Sequence, residues 1–101
     1  MTQSELINSI LQDRQFSRDY PDFKDYAEFI KGSAYKNWQK YRTFDKSGIL
    51  DLSELTLAGV TAYIKAVDTY NESFKSGSLE NYIRKLVRTA ILTSINTSLK
   101  L

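Results

Sequence analysis

Three cationic side chains, Arg84, Lys85 and Arg88, are the residues of this chain whose types and spacing most directly indicate a chemistry. At positions i, i+1 and i+4 of a helix they form one basic patch, a surface that attracts the phosphates of a polyanion. Residues 71–101 carry five Lys/Arg against two Asp/Glu, whereas residues 1–70 carry nine against ten. The other interpretation is the solvated charged face of an ordinary amphipathic helix. The pattern alone leaves both open.

The segment that must carry this patch is predicted to be a helix that begins near Ser78. Ser78 is a favourable N-cap, with Asn81 at the third helical position. Apolar residues recur along the segment at helical spacing: Leu79, Tyr82, Ile83, Leu86, Val87, Ala90, Ile91 and Ile95. The basic residues lie on the opposite face, so this helix is expected to pack on the rest of the chain and to leave them outside.

A second long helix is predicted just before it, from Asp51 to about Tyr70. Asp51 with Glu54 three residues later has the spacing of an N-terminal capping box. The apolar residues form two adjoining stripes: Leu52, Leu55, Gly59, Ala62, Ala66 and Tyr70, and Leu57, Val60, Ile64 and Val67. The strip that faces water is narrow and contains Glu54, Thr61, Lys65 and Asp68. A helix that is apolar over most of its circumference belongs in the middle of a bundle.

The first part of the chain predicts two more helices. Thr2 and Glu5 form a capping box for a helix from about Gln3 to Gln15, which either closes the bundle or docks a partner chain. The segment from Ser17 to Pro21 breaks this pattern, and Pro21 suits the first turn of the next helix. The apolar stripe of that next helix contains Phe23, Tyr26, Ala27, Ile30, Ala34, Trp38 and Tyr41.

Aromatic and basic side chains are mixed towards the end of this helix. The residues concerned are Tyr35, Lys36, Lys40 and Arg42. Such a mixture can serve nucleic-acid binding, because bases stack on aromatic rings and cations meet phosphates. The alternative is that the aromatic residues belong to the core and keep only their polar ends in water.

Taken together, these patterns predict an all-α fold, a small bundle of about four helices. A chain of 101 residues is expected to form a single domain. Residues 1–20 are expected to form an N-terminal helix and a linker, and residues 21–101 the main helical unit.

Several classes of function are excluded or disfavoured by what the sequence lacks. Without Cys or His, the chain has no disulfides, no Cys/His zinc site and no thiol or imidazole catalysis. Its four glycines are isolated and build no phosphate-binding loop, and no paired acidic cluster occurs at helical spacing. We therefore expect neither an enzyme nor a bound cofactor. No apolar run approaches the roughly 18 residues of a membrane span, and the absence of Cys fits a cytoplasmic protein.

One segment imitates a calcium site. Residues 45–54 have some features of an EF-hand loop, with Asp45 at the start and Glu54 at the end. A true loop has twelve residues with Gly at position 6, whereas this one has ten and places Gly48 at position 4. A turn is therefore the favoured interpretation.

The sequence of residues 51–95 resembles region 2 of the bacterial sigma-70 family, the RNA polymerase initiation factors. In that family a helix ending in residues like KAVDKF is followed by a short loop, then by FSTYA, two tryptophans and IRQAI. Here residues 65–70 read KAVDTY, and residues 79–91 read LENYIRKLVRTAI after a loop one residue longer than the common form. The resemblance covers roughly residues 23 to 95 and implies a sigma region-2-like fold over residues 21–101.

The resemblance implies a polymerase-binding face. In the family, region 2 docks on the clamp helices of the polymerase β′ subunit, and the matching positions here are Glu54, Leu57, Ala58 and Thr61. Glu54 stands where the family usually has Asp. Leu57 and Ala58 stand where it has a Gln-Glu pair, so two polar docking positions are apolar. This implies either a different partner surface or weak or absent polymerase docking.

The resemblance also implies contact with the −10 promoter element, through Lys75, Tyr82, Arg84, Lys85 and Arg88. Tyr82 matches the family aromatic that supports the melted strand, and Arg88 matches a basic position. Leu79 replaces a Phe, and Lys85 and Leu86 occupy the positions of the tryptophan pair that wedges into the duplex. Base stacking contributes about 1–3 kcal/mol per base, and a Lys offers none. We therefore expect weak melting, or melting of AT-rich DNA.

Two hypotheses follow. The first is a transcription initiation module that binds core RNA polymerase and promoter DNA. Since the chain has no room for a −35-reading domain, it is expected to be one half of a two-subunit sigma factor, a divergent sigma that relies on a co-activator, or a part of a longer protein. The second is a small helical adaptor whose Leu57 and Leu92 dock a partner protein, because both leucines lie on the water-facing side of their helices. Neither hypothesis involves a membrane.

Overall fold

The computed structural model describes residues 1–70 and 78–100, and the regular secondary structure of these ranges is entirely helical. Five α-helices follow one another: α1 (Gln3–Gln12), α2 (Arg14–Asp19), α3 (Phe23–Tyr41), α4 (Leu52–Thr69) and α5 (Leu79–Leu99). A single 3₁₀ turn, Arg42–Phe44, continues α3. The all-α prediction is confirmed, with one α-helix more than expected.

The additional helix lies in the segment predicted as a linker. α1 ends at Gln12 rather than Gln15, and Asp13 begins a new helix. The reason is a side-chain cap, because the Asp13 carboxylate accepts a hydrogen bond from the backbone N–H of Phe16 at 2.9 Å. The prediction of a break in helical pattern over residues 17–21 was therefore wrong for most of that segment.

The turn into α3 also differs from the prediction. Pro21 was placed in the first helical turn, but it precedes Asp22, the N-cap residue of α3. The ring of Phe16 packs edge-on against that of Phe23, with centroids 5.1 Å apart. This contact folds α2 back onto the start of α3, so the short helix takes part in the aromatic core.

The predicted starts of the other helices are confirmed. Thr2 and Glu5 form the capping box of α1, with two reciprocal hydrogen bonds of 3.1 Å. Asp51 caps α4 by accepting a hydrogen bond from the Ser53 N–H at 2.8 Å, without the predicted capping box with Glu54, and Ser78 caps α5 by accepting one from the Asn81 N–H at 3.3 Å. Each cap satisfies a backbone donor that the first helical turn leaves without a partner.

α4 is the central helix, as its two apolar stripes predict. It packs most extensively against α5 and also against α3 and α1. Glu54, Thr61, Lys65 and Asp68 are all exposed, as predicted, but the water-facing strip is wider than predicted because Leu57 of the second apolar stripe is 49% exposed. The core of the bundle is formed by fully buried side chains of the three long helices, among them Ile30, Ala34, Leu55, Tyr63, Ala66, Ile83, Val87, Ile91 and Ile95.

Gly59 sets how closely the three long helices approach one another. A Cβ atom at this position would lie 2.9 Å from Ile30 Cγ2 on α3 and 3.4 Å from Ile91 Cδ1 on α5. A side chain would therefore push α3 and α5 away from α4. The absence of one allows the three helices to pack closely at this point.

α1 is held on this core by a polar contact as well as by apolar ones. The Gln3 Nε2 donates to the carbonyl oxygen of Lys31 at 2.7 Å and to the buried Thr56 hydroxyl at 3.1 Å. Thr56 in turn donates to the carbonyl oxygen of Leu52 at 2.9 Å. A hydroxyl buried in an apolar core requires such partners, so α1 is anchored to α3 and α4 at one defined position.

The turn over residues 45–50 is stabilised internally. The Asp45 carboxylate accepts hydrogen bonds from the backbone N–H groups of Ile49 and Leu50, at 3.0 and 2.7 Å. Gly48 has a positive φ of 66°, a conformation that favours glycine. Trp38 Nε1 donates to the Leu50 carbonyl oxygen at 3.1 Å and ties the turn to α3. The features that imitate a calcium loop therefore serve the α3–α4 connection.

The domain is flat, with extents of 43 × 33 × 16 Å. Packed helices lie about 8–10 Å apart, so the shortest dimension holds about two helices. The long helices consequently keep much of their outer surface accessible. In the described residues, no helix is long and apolar enough to cross a membrane.

Two grooves beside the last helix

The first groove lies between α4 and α5 and has a volume of about 560 Å³. All four residues of the predicted polymerase-binding face line it. The full lining is Glu54, Leu57, Ala58, Thr61, Ala62 and Lys65 of α4 with Leu86, Thr89 and Ala90 of α5. The structure thus brings the predicted residues together on one concave surface, which we call the α4/α5 groove.

The spacing along α4 explains why these residues meet. Positions 54, 57, 58, 61 and 65 follow the i, i+3, i+4, i+7 and i+11 pattern of one helix face. Leu57 is the largest apolar side chain on this face and is 49% exposed. Ala58, Ala62 and Ala90 have short side chains, so the floor of the groove is apolar and open to a partner.

Charged residues stand near the two ends of the α4 side of this groove. Glu54 and Lys65 are exposed and lie eleven residues apart, which corresponds to roughly 16 Å along a helix. In the described ranges, the ion pairs are Lys31–Glu28 and Arg84–Glu80. Neither end charge is therefore paired with another described residue, and both are available to a partner.

The second groove lies between α3 and α5 and has a volume of about 510 Å³. Its lining consists of Phe29, Gly32, Ser33, Lys36, Asn37 and Lys40 of α3 with Arg88 and Leu92 of α5. We call it the α3/α5 groove. Three of these side chains are cationic and none is a carboxylate, so this groove is positively charged, whereas the floor of the α4/α5 groove is apolar.

Phe29 organises the basic residues of α5. The guanidinium carbon of Arg84 lies 4.8 Å from the Phe29 ring centroid, and that of Arg88 lies 5.5 Å from it. Such cation–π contacts hold a cation in place at a modest energetic gain. Arg84 is also paired with Glu80, whose carboxylate lies 3.0 Å from its Nη2. Arg88 has no carboxylate partner in the described residues, so its charge remains available.

The other predicted DNA-binding residues are distributed differently. Lys85 is exposed, and helical geometry turns it about 100° away from Arg84. Tyr82 is half-buried beside the end of α4, with its hydroxyl 3.1 Å from the Thr69 hydroxyl. Lys75 lies outside the described residues. The basic residues of α5 are thus divided, with Arg84 and Arg88 facing α3 and Lys85 on the outer side.

The two leucines of the adaptor hypothesis are both exposed, as predicted, but they belong to different grooves. Leu57 lies in the α4/α5 groove, whereas Leu92 is 37% exposed and lies in the α3/α5 groove. Leu86, which occupies one position of the family tryptophan pair, lines the α4/α5 groove. Leu86 therefore lies on the side of α5 that faces the predicted docking residues of α4.

Sequence patterns did not reveal that α3 and α5 combine their charges. Lys36 and Lys40 share one face of α3, and Arg88 of α5 lies across the groove from them. The aromatic–basic mixture near the end of α3 was the available signal, but no pattern within one helix identifies its neighbour. Phe29 was missed because it lies outside the apolar stripe of α3.

Displaced pKa values occur in an aromatic cluster away from both grooves. Burial raises the pKa of Tyr63 to about 12, within a group of rings that includes Phe23 at 5.2 Å and Tyr26 at 5.3 Å. The Tyr20 hydroxyl donates to the Asp68 carboxylate at 2.9 Å, which raises the pKa of Tyr20. These shifts arise from packing and hydrogen bonding and carry no indication of catalysis.

Comparison of the chain with family models, with curated proteins and with solved structures gives no match. The functional interpretation therefore rests on the two grooves and on the resemblance that the sequence analysis predicts.

Proposed function

We propose that this chain is a non-enzymatic transcription initiation module resembling sigma region 2. It docks on the clamp helices of the RNA polymerase β′ subunit through the α4/α5 groove and contacts promoter DNA through α5. A second sigma-like subunit or a co-activator supplies −35 recognition, and the module acts in the cytoplasm. The observation that carries the proposal is that Glu54, Leu57, Ala58 and Thr61 line one groove.

The chemistry of this groove suits a helical partner. A helix docks in a groove through apolar anchors at i, i+3, i+4 and i+7, and the α4 face offers a surface with the same repeat. Leu57 supplies exposed apolar area, and the alanines allow a close approach. Glu54 and Lys65 near the two ends favour a partner helix with a basic residue near the first and an acidic residue near the second.

The departures from the family pattern alter the expected strength of each contact. With Leu57 and Ala58 in place of a Gln-Glu pair, docking depends more on apolar burial and less on hydrogen bonds. Apolar burial contributes about 25 cal/mol per Å². On the DNA side, Lys85 contacts phosphate, which positions the protein on DNA without reading sequence. The module therefore relies on its partners for promoter choice.

The second candidate function is a helical adaptor without promoter recognition. It is favoured by the apolar character of the α4/α5 groove, where Leu57 stays 49% exposed. In this case the same groove receives a helix from a partner other than polymerase. A neighbouring gene for a protein with a sigma region-4-like helix-turn-helix would favour the first function and is not required by the second.

The test is retention of core RNA polymerase by the tagged full chain, before and after the change Glu54→Lys. Charge reversal at the edge of the groove is expected to reduce retention of polymerase at least tenfold. The introduced lysine would repel the basic residue of the partner helix that Glu54 attracts. Quantitative immunodetection of β′ in the eluate measures this effect.

The matched control is Glu28→Lys, which makes the same charge change on the exposed surface of α3. Glu28 is 87% exposed and pairs with Lys31 at 3.7 Å, a surface contact worth about 0–1 kcal/mol. Retention should be unchanged in this control. Failure of the unchanged chain to retain polymerase would contradict the proposal and leave the adaptor function as the better account.

A further inference from the structure

We propose that the α3/α5 groove is the nucleic-acid backbone site of this protein, with Lys36 and Lys40 of α3 and Arg88 of α5 as its phosphate contacts. This inference rests on the proposed function and deepens it, because it places the main DNA contact in a groove that α5 shares with α3 and adds Lys36 and Lys40 to it. The ligand class is the phosphodiester backbone of DNA.

The first argument for this site is the distribution of charge in the groove. Lys36, Lys40 and Arg88 line one groove that contains no Asp or Glu. None of the three is paired with a carboxylate among residues 1–70 and 78–100. By contrast, Arg84 is already neutralised by Glu80 at 3.0 Å. Unpaired cations that share one concave surface focus a positive potential, and that is where a polyanion binds.

The second argument is that the Arg88 side chain is held in position before a ligand binds. The Arg88 guanidinium lies 5.5 Å from the Phe29 ring centroid, so its side chain is held at the groove before any ligand arrives. A pre-positioned arginine loses less side-chain entropy on binding phosphate than a free one. Ser33 and Asn37 add a hydroxyl and an amide to the same lining. Phosphate oxygens accept hydrogen bonds from such neutral groups as well as from cations.

The third argument is the open space beside Gly32. Glycine within a helix is less stable than alanine by about 0.5–1 kcal/mol, and the packing here does not require it. A Cβ atom at this position would meet nothing within 4 Å. This is the opposite of Gly59, where a Cβ would meet Ile30 at 2.9 Å. Gly32 thus leaves the floor of the groove open for close approach of a ligand backbone.

The experiment is fluorescence anisotropy of the full chain with a labelled single-stranded DNA of the −10 type and with its duplex, at 50–200 mM salt. The variant Lys36→Gln/Lys40→Gln removes two cations from the groove. The control Lys24→Gln/Lys46→Gln removes two exposed cations elsewhere. The groove variant should bind roughly tenfold more weakly at the lowest salt, and its salt slope on single strands should be smaller by about 1.4. The control should lose much less.

Gly32→Leu tests the path of the ligand without removing charge. Leucine is a better helix former than glycine, and its Cβ atom at position 32 would meet nothing within 4 Å. The variant should therefore fold at least as well, judged by its circular dichroism melting curve, yet bind DNA several-fold more weakly. Full DNA affinity in this variant would overturn the inference, as would equal losses in the two lysine double variants.

Three further outcomes separate this inference from the proposed function. If Lys85→Gln lowers DNA affinity and Lys36→Gln/Lys40→Gln does not, the groove assignment is wrong, while polymerase retention through Glu54 remains intact. If the unchanged chain binds vesicles of anionic lipid in the same salt range but no DNA, the ligand class is wrong. Polymerase retention that is lost in Glu54→Lys but kept in Lys36→Gln/Lys40→Gln supports the division between the two grooves.

Discussion

The two grooves beside α5 share one wall and have opposite chemistry. On the α4 side the lining is largely apolar and includes Leu57, Ala58 and Leu86, and single charges stand near its ends. On the α3 side Lys36 and Lys40 face Arg88 across an open glycine position. The difference comes from both walls, because α5 contributes Leu86, Thr89 and Ala90 to the first groove and Arg88 and Leu92 to the second. One helix can thus present two binding surfaces when its two neighbours differ in composition.

The comparison also shows that basic residues on one helix do not necessarily act together. Arg84, Lys85 and Arg88 are close in sequence, yet the structure separates them by what they contact. Phe29 holds the two arginines towards α3, and Lys85 stays on the exposed side of α5. The charge that a ligand meets is therefore set by tertiary packing as much as by helical spacing.

The largest expected effect concerns the packing on which both grooves depend. Gly59→Ala should destabilise the domain by about 1–3 kcal/mol, because an added methyl group overpacks the contact with Ile30 and Ile91. Gly32→Ala is the matched control and should stabilise by about 0.5–1 kcal/mol. Chemical denaturation measures the free energy of unfolding of both variants, and the two changes should have opposite signs. Equal effects at the two positions would contradict the described closeness of α3, α4 and α5.

A smaller effect should distinguish the two exposed leucines. Leu57→Ala removes apolar contact area from the α4/α5 groove and should weaken polymerase binding about three- to tenfold, or roughly 1 kcal/mol. Leu92→Ala lies in the α3/α5 groove and should leave polymerase binding unchanged. A surface titration against immobilised core polymerase gives both values. Loss of polymerase binding on truncation of Leu92 would indicate that the two grooves do not have separate partners.

The smallest expected effect lies in the aromatic core, away from both grooves. Burial raises the pKa of Tyr63 to about 12, above its ordinary value of 10.0, so the folded state holds the phenolic proton more tightly. The corresponding stability is fully present below about pH 10 and is lost as the pH rises from about 10 to about 12.

Tyr63→Phe should flatten that alkaline loss, measured as the denaturation midpoint across this pH range. Binding to polymerase and to DNA at neutral pH should stay unchanged in the same variant, because Tyr63 lines neither groove. An alkaline loss as steep as that of the unchanged chain would mean that another group governs it.

The three long helices were largely predictable because they follow strong local signals. Asp51 and Ser78 are N-cap residues that begin α4 and α5, and the stripes of α4 place it centrally. The split between α1 and α2 was not predictable from periodicity, since the Asp13 cap interrupts a helical pattern that continues on both sides. Helical propensity and periodicity report on segments, whereas a single side-chain cap decides where one helix ends and the next begins.

The candidate site likewise has a part that could be predicted from the sequence and a part that depends on the fold. Glu54, Leu57, Ala58 and Thr61 were predicted as one face from the resemblance, and their helical spacing is consistent with it. Their combination with Leu86 and Ala90 needs the packing of α5. The α3/α5 groove could not be predicted, because its cations are separated by about fifty residues in the sequence and meet only through the fold. The opposite demands on Gly32 and Gly59 likewise appear only when their neighbours are known.

The measurement that tests this account most directly is a crossed binding experiment with two ligands and two variants. Core RNA polymerase and the −10-type DNA are each titrated with the unchanged chain, with Glu54→Lys and with Lys36→Gln/Lys40→Gln. The account predicts that the first variant loses polymerase and keeps DNA, whereas the second loses DNA and keeps polymerase. Parallel losses of both ligands in either variant, or no loss in both, would contradict the assignment of separate partners to the two grooves.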